Sequence, residues 1–391
     1  MKTKKNRVVP KLRFPEFYNN GEWKIEKLES ITHSISSGKD NKASNGDYPL
    51  YGSTGIIGET DEVSHVGSYI LVARVGANAG LLNFVTGEFG VSDNTLVVSV
   101  KKTSANINFI YYFLTSYRLN KLVFGSGQPL ITGRQLKSIE LGLPNIEEQQ
   151  KIADCLSSLD DLINAENEQL DALQEYKAGL LQQLFPAEGE TTPKLRFAEF
   201  KDDGDWEEVK LGDLCKVLMC KRIFADQTNT LQGVPFYKIG TLGSSPDAFI
   251  SQDLYEDYKN RYNFPKQGEV LLTCSGTVGK TIIYDGEDAY YQDSNIVWLD
   301  NPMQRVKNEL LYYIINNVNW GILNSTTITR IYGDDLRRLN IQFPSCSKEQ
   351  QKIVDCLSSL DNLIQAKDSQ IDTLKNHKQG LMQQLFPTKC K

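Results

Sequence analysis

The sequence predicts an α+β protein with two globular domains separated by an antiparallel coiled coil of two long helices, the whole built on an internal pseudo-two-fold repeat. Three observations point there: the chain is written twice, each copy ends in an apolar seam of near-heptad period, and the segments between hold short β-rich runs broken by glycine turns. With 391 residues the chain has room for more than one domain and an ample buried core. The expected boundaries are a first globular domain over 1–146, a central helix over 147–186, a second globular domain over 187–344 and a distal helix over 345–391.

The repeat is legible at both ends of each copy. Pro10-Lys11-Leu12-Arg13-Phe14-Pro15-Glu16-Phe17 returns as Pro193-Lys194-Leu195-Arg196-Phe197-Ala198-Glu199-Phe200, and Trp23 returns as Trp206, at an offset of 183. Downstream, the run from Glu148 to Asp160 matches Glu349 to Asp361, and Gly179 to Pro186 matches Gly380 to Pro387, at an offset of 201. Between these ends, about residues 30–140 and 213–340, the copies look largely unrelated. A repeated frame around differing inserts suggests interchangeable recognition surfaces on one architecture.

In the inserts, short strands are expected at Tyr48–Gly55, Tyr69–Arg74 and Thr95–Val100, with a helix near Asn108–Leu122. The second insert matches with Val234–Gly240, Val270–Thr273, Ile296–Leu299 and a helix near Asn308–Asn317.

The repeated tails read as helices. Ile152, Leu156, Leu159, Ile163, Leu170, Leu173, Leu180 and Leu184 form one seam, and Ile353, Leu357, Leu360, Ile364, Ile371, Leu374, Leu381 and Leu385 repeat its steps. Pro144 and Pro344 precede the helices, and Pro186 and Pro387 stop them. From 147 to 185 the first helix has 9 acidic and 2 basic residues, whereas the second offers Lys348, Lys352, Lys367, Lys375 and Lys378. Such complementary charge favours pairing of the two seams with each other. A two-fold relation would make them antiparallel, with the globular domains at opposite ends. A helix from Glu147 to Phe185 would span ~58 Å at 1.5 Å per residue.

Composition narrows the chemistry. The net charge of −6 argues weakly against a non-specific nucleic-acid binder. Its distribution is uneven, at +5 over 1–146, −9 over 147–192, −4 over 193–344 and +2 over 345–391. Seven cysteines at irregular spacing form no disulfide framework, and Cys215 with Cys220 lacks the partners of a zinc shell, so no metal is expected. No leader or membrane span is evident, which places the chain in the cytoplasm as an expectation.

Gly276-Thr277-Val278-Gly279-Lys280-Thr281 ends like a phosphate loop, but Cys274 stands where the motif needs its first glycine, so a strand-to-strand turn is expected. Pro246-Asp247 with Asp257 and Lys259 has the form of a two-acid-plus-lysine nuclease pattern, one permissive enough to arise by chance. No Pro-Pro dipeptide is present for an amino-methylating loop. No catalytic residue is assigned.

Direct reading of DNA bases needs amide, hydroxyl and guanidinium groups on exposed turns. The first insert offers Lys39, Asn41, Lys42, Ser53, Thr54, Arg74, Asn78, Gln128 and Arg134. The second offers Lys221, Arg222, Tyr237, Lys238, Ser275, Thr277, Lys280 and Arg330. Each alone is an ordinary loop residue, and the clustering is the signal.

Together these motifs resemble the specificity subunit of Type I restriction-modification enzymes. The resemblance rests on the repeated Pro-Lys-Leu-Arg-Phe, Trp23 and Trp206, Tyr48-Pro49-Leu50-Tyr51-Gly52, Pro235-Phe236-Tyr237-Lys238-Ile239-Gly240, and Pro144 or Pro344 followed by Glu-Gln-Gln-Lys-Ile. It covers nearly the whole chain. It implies a non-catalytic subunit with two target-recognition domains that reads double-stranded DNA at two short sequences split by an unread spacer. It further implies assembly with two modification subunits, which bind S-adenosylmethionine and methylate adenine, and two ATP-dependent restriction subunits. S-adenosylmethionine, ATP and Mg would belong to those partners, with no cofactor in this chain. Two other readings stay open from residues alone: a metal-dependent nuclease using Asp247, Asp257 and Lys259, and a coiled-coil scaffold that binds only protein.

Overall fold

The structure is a computed structural model and describes residues 8–124, 129–320 and 330–387. It forms two compact units, one of Met1–Gln169 with Lys367–Lys391 and one of Leu170–Ala366. No described helix is long and apolar enough to cross a membrane.

The first unit contains β1 (Lys24–Lys27), β2 (Thr32–Ser37), β3 (Tyr48–Gly52), β4 (Gly55–Thr60), β5 (His65–Ala73), β6 (Leu82–Val91), β7 (Thr95–Val100), α1 (Ile107–Tyr117), α2 (Gly133–Lys137), β8 (Glu140–Leu143) and the start of α3 (Ile146–Leu184). Six strands make one sheet in the order β2-β7-β5-β6-β3-β4, with β3 parallel to β6 and the other neighbours antiparallel. Strands β1 and β8 pair separately.

The second unit holds the rest of α3, then β9 (Glu207–Lys210), α4 (Leu211–Leu214), β10 (Lys216–Leu218), β11 (Val234–Tyr237), β12 (Phe249–Ile250), α5 (Gln252–Arg261), β13 (Val270–Thr273), β14 (Thr281–Ile283), β15 (Tyr290–Tyr291), β16 (Ile296–Asp300), α6 (Asn308–Asn316), α7 (Gly333–Arg338), β17 (Asn340–Phe343) and the start of α8 (Ser347–Leu385). Its sheet order β10-β16-β13-β14 repeats β2-β7-β5-β6, and β11 runs parallel to β15 as β3 does to β6. The inserts that look unrelated in sequence therefore share a frame. A strand paired on both edges and covered on both faces requires apolar residues but not particular ones. Ile70-Leu71-Val72-Ala73 and Val270-Leu271-Leu272-Thr273 are both fully buried.

The helices follow the same logic. Asn106 caps α1 by accepting from the Phe109 N–H, and Phe109, Ile110, Phe113 and Leu114 bury one face of it. It ends earlier than its apolar run suggests because Arg118 turns left-handed at φ +58, after which a 3-10 turn carries the chain to Leu122. Helix α3 starts one residue before the expected position because Asn145 Oδ1 accepts the Glu148 N–H at 3.0 Å. Both α3 and α8 are 39 residues long.

In each unit the end of one long helix packs beside the start of the other. Met382, Leu385 and Phe386 at the end of α8 join Trp23, Phe109, Ile152 and Leu156 in the core of the first unit. Leu180, Leu184 and Phe185 at the end of α3 join Trp206, Leu310, Ile353 and Leu357 in the core of the second. The expected charge pairing holds only in part. In the first unit Lys378 pairs with Asp160 and Lys367 with Glu166, but in the second it is α3 that supplies the cation, as Lys177 pairs with Asp361. Lys352 turns to Glu199, off the helix pair.

The repeated motifs are the staples of this packing. The Leu12 N–H bonds the Gln384 carbonyl at 3.1 Å near the end of α8. The neighbouring Arg13 guanidinium donates from Nε and Nη2 to the two Glu148 oxygens, each at 2.7 Å, at the start of α3. Trp23 Nε1 donates to the same carboxylate at 3.2 Å. The second unit repeats the set with Leu195 on Gln183, Arg196 on Glu349 and Trp206 on Glu349. Gln149 bridges the Asn106 N–H to the Pro144 carbonyl, and Gln350 bridges the Lys307 N–H to the Pro344 carbonyl. Glu148 and Glu349 are each 1% exposed, so removing their partner strands a buried charge. Arg13→Ala is expected to destabilise the first unit by about 3–5 kcal/mol in urea denaturation, and a loss under about 1 kcal/mol would contradict the staple.

Candidate nucleic-acid interface

In the first unit two of the predicted polar groups, the Lys39–Lys42 stretch and Arg74, are tied to one turn, Val91 to Thr95, between β6 and β7. The Gly38 N–H bonds the Thr95 carbonyl, the Asp40 N–H bonds the Val91 carbonyl, the Ser92 N–H bonds the Tyr51 carbonyl and the Arg74 N–H bonds the Asn94 carbonyl. Three separate stretches of sequence, around Gly38–Asp40, Tyr51 and Arg74, are thereby fixed to five consecutive residues.

Asp40 is the anchor of the Lys39–Lys42 stretch. Its Oδ2 accepts the Val91 N–H at 2.6 Å and the Ser64 hydroxyl. Close approach holds the stretch down, because a Cβ on Gly38 would lie 2.0 Å from the Val91 carbonyl oxygen. Lys39, Asn41 and Lys42 project as exposed side chains, with the Lys42 stem packed over Gly58 of β4. Ser53 and Thr54 form the two-residue turn between β3 and β4, where Gly55 supplies the positive φ of +102.

Arg74 leaves β5 half-buried, with Nε buried and without a hydrogen-bond partner among the described residues. Asn78 is exposed on the next turn, and Arg134 is exposed on α2, whose first residue packs against β2. Gln128 lies outside the described residues. Beside Asp40, His65 stacks on Phe89 with its Nδ1 2.6 Å from the Ser64 hydroxyl. Burial lowers its pKa against the opposing pull of Asp40.

The second unit builds the same convergence on Tyr291 to Asn295. The Gln292 N–H bonds the Tyr237 carbonyl, and the Cys274 N–H bonds the Asn295 carbonyl. Tyr237 stacks on Tyr291 with ring centroids 5.9 Å apart. Arg222 Nε reaches Asp293 at 2.8 Å, Ser275 donates to Asn295 Oδ1 at 2.7 Å, and Arg330 Nη2 approaches the Ser294 carbonyl at 3.5 Å. Arg330 also lies 5.5 Å over the exposed Tyr332 ring, and its Nε is buried without a partner among the described residues. Lys221 is exposed with its ammonium 5.3 Å over Tyr262, while its carbonyl accepts from the Tyr290 hydroxyl. Lys238 pairs with Asp247 at 2.8 Å.

Thr277 and Lys280 stand exposed on the β13–β14 turn, which packs against Ile239 through Gly276. That turn holds no phosphate cradle. A Cβ on Gly279 would lie 2.1 Å from Trp320 Nε1, so the glycine serves close packing and a φ of +81. The Thr273 hydroxyl donates to the Thr277 carbonyl and accepts the Lys280 N–H, closing the turn on itself.

The remaining catalytic patterns are not assembled. Asp247 pairs with Lys238, Asp257 with Arg261 at 3.0 Å, and Lys259 with Asp288 at 3.3 Å, so the two acids and the lysine each have a different partner. Among the described residues no group of three or more histidine, cysteine or acidic side chains converges. Cys215 and Cys220 lie in separate core clusters, and burial pushes both thiols up to about 12.

Of the residues singled out from sequence, the Lys39–Lys42 stretch and Arg74 in the first unit and Arg222, Tyr237, Ser275 and Arg330 in the second are brought to these turns. Ser53, Thr54, Asn78, Arg134, Thr277 and Lys280 lie on other turns or helices, and Lys221 and Lys238 are held by Tyr262 and Asp247. Ser92-Asp93-Asn94 and Asp293-Ser294-Asn295 are not singled out from sequence; their similar chemistry at matching places in both copies is the signal that could have found them.

Comparison with known proteins agrees with this picture. The model of the Type I restriction modification DNA specificity domain matches twice, over residues 20–175 and 203–376. A Haemophilus influenzae protein assigned as a type I restriction enzyme specificity subunit is 34% identical over 348 residues, covering 88% of this chain and 88% of the relative. A type I restriction enzyme specificity subunit of Methanocaldococcus jannaschii is 25% identical over 340 residues, covering 82% of this chain and 79% of that one. The crystal structure of the S subunit of a type I restriction-modification system from M. genitalium superposes with a TM-score of 0.65 at 16% identity, over 98% of this chain and 100% of that one. With two matches of the family model lying over two units that share one frame and carry polar loops on equivalent turns, the chain belongs to the family of Type I restriction-modification DNA specificity subunits.

Proposed function

We propose that this chain is the non-catalytic, DNA-reading subunit of a Type I restriction-modification complex, with one half-site read by each globular domain. The observation that carries the proposal is the convergence in both units of differing polar loops on equivalent turns of a shared frame. A constant scaffold with variable loops suits two readers of unlike sequence, with the domains taken as 1–146 and 187–344 on either side of α3 and before α8 in the chain. Two helices of 39 residues, each ~58 Å long, suit a spacer that is left unread.

The side chains divide by chemistry. Lys39, Lys42, Lys221, Lys238 and Lys280 suit phosphates. Arg74, Arg134, Arg222 and Arg330 suit guanine edges, while Asn41, Asn78 and Gln128 suit adenine. Ser53, Thr54, Ser275 and Thr277 suit either base edge, and Tyr237 suits positioning contacts. Two modification subunits carrying S-adenosylmethionine would methylate adenine in double-stranded DNA. Two restriction subunits using ATP and Mg would cleave it, all within the cytoplasm and with no cofactor in this chain.

Two experiments test this. Replacing residues 213–340 with the corresponding insert of another family member should change one half of the methylated sequence and leave the other as it was; a change in both halves contradicts one reader per half-site. Binding titrations of the complex with its modification subunit, across ~50–200 mM salt, should show Lys39→Ala weakening all sequences alike and lowering the salt slope by about 1. Arg330→Ala should instead cost about 1–3 kcal/mol on the target alone and relax one base position of the second half-site. Equal effects of the two variants on target and random DNA would contradict this division of roles.

A further inference from the structure

The offset of 201 makes Glu166 and Lys367 the same position of the two repeats, and in the first unit these two residues touch. Lys367 Nζ lies 2.5 Å from Glu166 Oε2 and 2.9 Å from Gln169 Oε1, while Gln370, the repeat equivalent of Gln169, donates to Glu166 Oε1 at 3.1 Å. In an antiparallel pair of equivalent helices, equivalent positions meet only at the centre of the pairing. Everywhere else a residue faces a non-equivalent one. Contacts away from the centre can therefore be complementary even between two identical helices, whereas contacts at the centre cannot.

The helices follow this division. The seam residues are the same or nearly so in both copies, as in Ile152 and Ile353, Leu156 and Leu357, or Leu170 and Ile371. The outer ion pairs are also repeat-invariant, since Asp160 with Lys378 and Asp361 with Lys177 use the same two positions of each helix. If α3 met the α3 of a second copy, the seam would still match and Asp160 would still face Lys177. Neither feature distinguishes the partner within the chain from a stranger. At the centre a second copy would set Glu166 against Glu166, or Lys367 against Lys367. The side chains there are 10% and 18% exposed, drier than the outer aspartates at 35%, so like charge at that point is poorly screened.

We propose that Glu166 and Lys367 are the residues that select partners in this helix pair, admitting the chain's own opposite repeat and rejecting like-with-like pairing with a second copy. This selection does not depend on the DNA-reading role. It needs the charges to be opposite and is indifferent to which helix carries which.

The test uses the full chain as wild type, E166K, K367E and the double variant E166K/K367E. Each single variant places like charges at the centre and should lower the melting temperature by about 3 °C in low salt, and the double variant should regain most of that loss. With two different affinity tags, the E166K and K367E chains expressed together should co-purify, because their charges complement only between chains, while two tagged wild-type chains should not. Should the single variants fail to accumulate, recovery of a folded double variant supports the proposal in the same way. A double variant that melts as low as the sum of the single losses overturns it, as does equal co-purification of the mutant pair and the wild-type pair.

Discussion

Each globular unit completes its hydrophobic core with the end of one long helix and the start of the other, and the first unit can do so only by recruiting a segment from the far end of the chain; this is the constraint on which the rest depends. The first core ends on Met382, Leu385 and Phe386, more than two hundred residues away in sequence from Ile152 and Leu156 beside them. Phe386 sits 5.3 Å from Phe109 and 6.1 Å from Phe113 by ring centroids, so the last turn of α8 fills the space above α1. The second core ends on Leu180, Leu184 and Phe185, with Phe185 edge-on to Trp206 at 5.9 Å. Apolar area buried by distant residues stabilises a unit only if those residues are held in place. The Arg13–Glu148 and Arg196–Glu349 staples, and the leucine backbone bonds beside them, do the holding.

This arrangement separates two jobs that the sequence interleaves. Motifs repeated in both copies build the frame, and their polar residues are consumed by it. Arg13, Trp23, Glu148 and Gln149 have their hydrogen-bonding groups turned inward. The residues that differ between copies lie on the loops that meet at Val91 to Thr95 and at Tyr291 to Asn295, where most remain exposed. Such loops can change without disturbing either core, because they are tied to the frame largely through backbone groups, which tolerate any side chain.

Much of the fold was legible from periodicity. The 3.5-residue seam located both long helices, although α3 ends at Leu184 and α8 runs from Ser347 to Leu385 within the wider bounds expected, and strands β7, β13 and β16 stood out as short, mostly apolar runs. Strand β6 did not, because Gly87 and Glu88 interrupt Leu82–Val91 and its exposed half carries no clean alternation. The shared frame of the inserts was invisible because pairing conserves apolar character and sheet order, neither of which registers as identity. Burial of Glu148 was equally hidden, since a glutamate in the first helical turn reads as a solvated, dipole-favoured residue. Charge bias between the helices suggested mutual pairing, yet the actual pairs run both ways, with Lys177 of the acidic helix serving Asp361. At the candidate interface, residue types pointed to polar loops, but which of those loops meet is set by tertiary hydrogen bonds.

Two unlike sets of loops on one frame call for a two-part target. The most direct measurement is methylome sequencing of a host with and without this chain, its modification subunit present in both. It should show adenine methylation at two short, different sequences separated by a spacer of fixed length and free composition, present with the chain and lost without it. Methylation of a single uninterrupted sequence, or a pattern unchanged when the chain is removed, would contradict the account.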